Sequence, residues 1–93
     1  MHIASLANTM DLRSVIEQRL ITHFSPSRLE VIDESHLHRG HPGAIGGGGH
    51  FRVRIAAESL DQLPLIKRHR EIYASLGELM DGPIHALAIE KAS

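Results

Sequence analysis

His50-Phe51-Arg52-Val53-Arg54-Ile55 alternates polar and apolar residues without a break. Successive side chains of a strand point to opposite faces. Phe51, Val53 and Ile55 therefore share one face, and His50, Arg52 and Arg54 the other. Such a strand lays one face on a core and turns the other to solvent. What flanks it decides the kind of domain.

Upstream, residues 28–34 repeat the pattern, with Leu29 and Val31 opposite Arg28, Glu30 and Ile32. Between the two strands runs a polar loop, Ser35 to Gly49, with Pro42, Gly43 and the run Gly46 to Gly49. Consecutive glycines are costly to order. Two strands joined in this way read as an antiparallel hairpin. Earlier still, Leu12, Val15, Ile16, Leu20, Ile21 and Phe24 follow helical spacing. Thr9 is the expected cap, with Asp11 in the first turn. Ser25-Pro26-Ser27 stops the helix, because proline pushes the residue before it out of the helical region.

Downstream of the second strand, Leu60 to Pro64 reads as a turn or short helical piece, and Pro64 suits the first position of a helix. The spacing predicts a buried stripe of Leu65, His69, Ile72, Tyr73, Leu76 and Leu79 or Met80, ended by Asp81-Gly82-Pro83. Ile84 to Ile89 is apolar at every position except His85, which predicts a strand covered on both faces. Its crossover from the second strand should be right-handed and parallel. The order helix, strand, strand, helix, strand predicts an α+β domain with helices packed on a three-stranded mixed sheet. Residues 1–9 are expected to be a flexible lead-in to one domain over 10–91.

Composition narrows the function. A net charge of −1 argues against strong, sequence-blind nucleic-acid binding. With no cysteine the chain has no disulfide, no thiolate nucleophile and no four-cysteine iron–sulfur site of its own. Its apolar runs are too short to cross a bilayer, and its first residues lack a signal peptide's basic start and long apolar stretch. A soluble cytoplasmic protein is expected. No catalytic constellation stands out. Asp33 and Glu34 are adjacent on a strand and point apart, and the glycine run lacks the Lys-Ser/Thr ending of a phosphate loop. A non-enzyme is expected.

The chain has 8 histidines, and histidine is the side chain suited to neutral metal ligation. His36, His38 and His41 crowd the loop, and imidazole suits zinc, copper, nickel and iron. His85 is a lone imidazole in an apolar strand. His50 shares a strand face with Arg52 and Arg54, and His69 falls in the helix stripe. Lys67, Arg68 and Arg70 form a short basic patch that suits a phosphate or an acidic partner surface; an ordinary solvated helix face is the alternative.

Leu29-Glu30-Val31-Ile32-Asp33-Glu34-Ser35 followed by His38, His50-Phe51-Arg52-Val53, Arg68-His69-Arg70 with Ile72-Tyr73, and Ile84-His85-Ala86-Leu87 together resemble the BolA family. The resemblance spans roughly residues 10–90, and it lies in the order and spacing of four motifs. It implies a KH-like (class II) αββαβ fold. It also implies a partner of monothiol glutaredoxins that shares a [2Fe–2S] cluster, with the glutaredoxin and glutathione supplying the remaining ligands. The family's ligand positions map onto His85 and His38, and the extra loop histidines His36 and His41 are alternatives to His38. The other role implied is a DNA-binding transcriptional regulator of stress response, cell morphology and biofilm. The KH nucleic-acid clamp is a GXXG loop between helices. Here the glycines lie between strands, which leaves Lys67, Arg68 and Arg70, with Arg52 and Arg54, as the phosphate contacts. The sequence leaves open whether the free chain is a monomer or a weak dimer.

Overall fold

The computed structural model describes residues 11–38 and 49–92. Helix α1 (Leu12–Phe24) leads into strand β1 (Arg28–Asp33), and a 3-10 turn (Ser35–His38) follows it. Strand β2 (Gly49–Ala56) leads to the short helix α2 (Glu58–Asp61), the long helix α3 (Leu65–Leu76) and a second 3-10 turn (Gly77–Asp81). Strand β3 (Ile84–Lys91) closes the domain. The lead-in 1–9, with Thr9 in it, lies outside the described residues, as do His41 and the glycines from Gly43 to Gly48.

The sheet order is β1-β2-β3, so the alternating strand is the central one. β1 pairs with it antiparallel, Val31 opposite Val53 and Glu30 opposite Arg54. β3 pairs with it parallel, Phe51 opposite Leu87 and Arg54 opposite Glu90. This is the mixed α+β sheet that the element order predicts. Ile16 and Leu20 of α1, Ile72 and Leu76 of α3, and Leu60 of α2 bury against Val31, Phe51, Val53 and Ile55. Both long helices thus cover one face, and among the described residues none of the helices covers the face of His50, Arg52 and Arg54.

Four expectations need correction. The cap of α1 is Asp11, whose carboxylate accepts from the Ser14 N–H at 2.9 Å, and the helix starts at Leu12. Ile21 is exposed, because the two inward positions of α1 are Ile16 and Leu20. Leu65 and Tyr73, placed in the buried stripe of α3, are 60% and 40% exposed, so that stripe narrows to Ile72, Ser75 and Leu76. β3 is an edge strand, not a covered one: His85 and Ala86 are both exposed. Its apolar run is partly alanine, which leaves little surface to bury.

The end of α3 is clasped to α1. Arg19 donates to the Leu76 carbonyl at 3.2 Å and to both carboxylate oxygens of Glu78. Gly77 turns the chain there with φ +50°, ψ −122°, a conformation that a side chain would strain. Among the described residues no helix is long and apolar enough to cross a membrane.

Candidate functional site

Three chain segments meet at one end of the sheet. β1 ends there and passes into the Ser35–His38 turn, and β2 and β3 both begin there. The junction is hydrogen-bonded throughout. The His50 N–H donates to Ser35 Oγ at 3.1 Å, and the Glu34 N–H donates to the His50 carbonyl at 2.7 Å. The Gly49 N–H donates to the Pro83 carbonyl at 2.8 Å, tying the start of β2 to the approach to β3. Asp33 accepts from the Ser35 N–H at 2.9 Å, and its hydrogen bonding with Ser35 holds its carboxyl below the ordinary value.

β3 carries a bulge at this end. Gly49 lies opposite Ile84 but His50 lies opposite Ala86, so His85 is the extra residue. Ile84 is buried, and both His85 and Ala86 are exposed. The bulge brings His85 beside His50, with ring centroids 5.1 Å apart and ring planes tilted by 42°. His50 is half-buried, and its Nε2 is shielded from solvent.

The other candidate histidines are placed differently. His36 is exposed on the 3-10 turn. The His38 backbone ends that turn, and its side chain lies outside what the structure describes. His69 sits on α3, half-buried and edge-on to Tyr73, in the helical layer and away from the open sheet face. Among the described residues no group of three or more metal-ligating side chains forms a site.

Three of the candidate arginines are engaged by groups of the chain itself. Arg52 bridges Glu34 and Glu90, and Arg54 bridges Glu90 and Glu30. The result is a ladder of alternating charge across all three strands. Arg68 is half-buried and donates to the Leu60 and Leu63 carbonyls, which fixes the α2–α3 connection. Lys67 and Arg70 are exposed on α3.

The ladder sets a pH response. Arg54 and then Arg52 hold the Glu90 carboxyl below its ordinary 4.5, and Arg19 does the same for Glu78. A carboxylate with a depressed folded value stabilises the fold above its unfolded value and loses that contribution as pH falls through the folded one. Thermal stability should therefore decline below about pH 4.5, with a shallower slope for Glu90→Gln and at high salt, since these pairs are exposed. An unchanged slope in Glu90→Gln would count against the ladder's part in it.

Gly49 has a steric reason. A Cβ there would stand 2.5 Å from Phe51 Cε2 and 3.0 Å from Cζ, and that ring is 4% exposed. Gly49→Ala should cost about 1–3 kcal/mol by denaturant unfolding, the range for overpacking a tight core. A loss well under 1 kcal/mol would mean that the ring yields.

A family model described as BolA-like protein matches residues 20–93. The chain belongs to the BolA family. Its BolA fold is also that of BolA1 from Arabidopsis thaliana, a solved structure with TM-score 0.75 and 32% identity that covers 89% of this chain and 92% of that one. A Sinorhizobium sp protein named only for its position, in the cobS 5′ region, is 46% identical over 90% of this chain and 92% of its own. The Escherichia coli DNA-binding transcriptional regulator BolA is 36% identical over 86% of this chain and 73% of its own. Sequence reading missed how the ring of His50 meets His85 in this BolA fold, and which acids hold Arg52 and Arg54. The available signal for the first was that both histidines stand at the starts of strands expected to run parallel.

Proposed function

We propose that this BolA-family chain is a non-enzymatic binding module that completes a [2Fe–2S] cluster with a monothiol glutaredoxin. His85 supplies one ligand and His38 the other to one iron; the glutaredoxin cysteine and glutathione hold the second. The observation that carries this reading is the exposed His85 on its bulge, at the end of the sheet where the turn carrying His38 leaves β1. The donor set fits the group: neutral imidazoles replace thiolates on one iron of known two-histidine clusters. A cluster so held supplies a one-electron centre at a raised potential. The chain's own part is to hold His85 on a hydrogen-bonded strand and to offer an imidazole from the adjoining segment. Mixing the chain with a monothiol glutaredoxin, glutathione, iron and sulfide should give a one-to-one complex whose visible circular dichroism neither protein shows alone. A spectrum identical to that of the glutaredoxin by itself would overturn the reading.

A second reading rests on the name of the Escherichia coli relative, a DNA-binding transcriptional regulator. In this chain Arg52, Arg54 and Arg68 are already engaged by groups of the chain itself, so Lys67 and Arg70 would make the phosphate contacts. Two such contacts predict weak binding that falls with salt, and a Lys67→Ala/Arg70→Ala variant with a smaller salt slope. Affinity indifferent to both changes would exclude this mode.

A further inference from the structure

We propose that the outer edge of β3, with the overhanging flank of α3 beside it, docks a second copy of this chain, the two β3 strands pairing antiparallel about Ala88. The proposal does not rest on the cluster reading.

The two edges of the sheet differ. On the outer side of β1, Arg13 donates to the Val31 carbonyl at 3.4 Å. A side chain that takes up an edge carbonyl blocks a further strand. Among the described residues β3 has no such guard. The Ala92 N–H turns inward to the Ile55 carbonyl of β2, so alternation along the strand turns the N–H and C=O of Leu87 and Ile89 outward. The bulge at His85 ends the regular pairing on one side and leaves Ala86 to Glu90 as an even run without proline.

That run suits a copy of itself. Centred on Ala88, antiparallel pairing sets Leu87 against Ile89 of the second copy as the hydrogen-bonded pair. Ala88 meets its own mate as the non-bonded pair, where strands approach most closely and a methyl fits. Leu87 and Ile89 are half-buried at the rim of the core, so the pairing joins apolar to apolar. Glu90 falls opposite Ala86 of the second copy, which keeps the two carboxylates apart. Centring on Ile89 instead would set Leu87 against Lys91.

The helical layer supplies a second, independent observation. Arg13 ties α1 to the β1 side, so α3, clasped beside α1 through Arg19, lies toward β3. The inner flank of α3 carries buried Ser75 and the Arg68 that donates to the Leu60 carbonyl of α2. Ile66 and Tyr73 stand on the opposite flank by helical spacing, 67% and 40% exposed. A two-fold interface presents the same patch from both copies. A sheet continued past β3 therefore brings the same flank of the second α3 toward them. The paired run is short, so association should be weak.

The test is sedimentation equilibrium of the untagged chain without glutaredoxin, from micromolar to millimolar concentration, with amide hydrogen exchange read at both ends. A reversible dimer should appear, and the Leu87 and Ile89 amides should exchange more slowly as it forms. Ala88→Glu should weaken the dimer at least about tenfold, since like charges facing across an interface repel strongly. Within one copy the new carboxylate stands level with Arg52, so the fold is kept. Ile66→Ser, at an exposed position, should also weaken the dimer with a melting temperature close to the parent's. Ile21→Ser, exposed on α1, should dimerise as the parent does. A chain monomeric at millimolar concentration, a dimer indifferent to Ala88→Glu, or one that leaves the Leu87 and Ile89 amides unprotected would each overturn the proposal. The cluster reading survives any of these, because it is read from the visible spectrum with glutaredoxin present.

Discussion

Replacing His85 with alanine should abolish the glutaredoxin-dependent visible circular dichroism and leave the domain folded. The two halves of that expectation come from one feature. His85 is the extra residue of the β3 bulge and is exposed, so it adds no side chain to the core. Surface substitutions of this kind usually stay within about 0.5 kcal/mol. As the proposed ligand, His85 gives one iron a donor, so its removal should release the cluster rather than weaken it. His36→Ala, exposed on the neighbouring turn, should leave the signal intact. His38→Ala should diminish it, since that imidazole is the proposed second donor. The comparison uses chain, glutaredoxin and glutathione at fixed concentrations, with the urea midpoint of each variant beside its spectrum. A His85→Ala complex with full signal and full lifetime would remove the cluster proposal.

A large loss of stability is expected at Ile72. Its side chain is fully buried at the centre of α3, among core residues from both helices and the sheet. Ile72→Ala removes that contact and leaves a void that close-packed surroundings fill only partly, at about 2–5 kcal/mol. Domains of this size have about 5–15 kcal/mol in all. The variant should therefore unfold at a much lower urea concentration with an unchanged slope, because the exposed area differs little. Ile72→Val, which deletes one methyl, should cost about 0.5–1.5 kcal/mol. A loss below about 1 kcal/mol for alanine would mean that α3 slides to refill the space, and the packing described for it would be wrong.

Much of this domain was legible because its central strand has one wet face and one dry face. That alternation fixes which residues of β2 enter the core, and the helix spacing around Ile16, Leu20, Ile72 and Leu76 supplies the other layer. Reading failed where the signal was composition rather than period. Ala86 and Ala88 count as apolar, yet their small side chains sit at an edge without needing cover, so β3 looked more enclosed than it is. Leu65 and Tyr73 obey the helical spacing but lie beyond what the sheet and α1 cover. The pairing of His50 with His85 depends on a parallel register shifted by one residue, which no local pattern encodes. The same holds for Glu34 and Glu90 on Arg52: each is an ordinary charged residue until the strands are aligned.

The alternating ladder on the uncovered side of the sheet also decides who can land there. Each charge already has a neighbour of opposite sign, so a visitor gains nothing by attraction alone and must displace a resident for every contact it makes. A polymer of one sign meets its own sign there too, in three carboxylates or two guanidiniums. A surface that repeats the mosaic in mirrored order meets each charge with its opposite, and that preference needs no binding cleft.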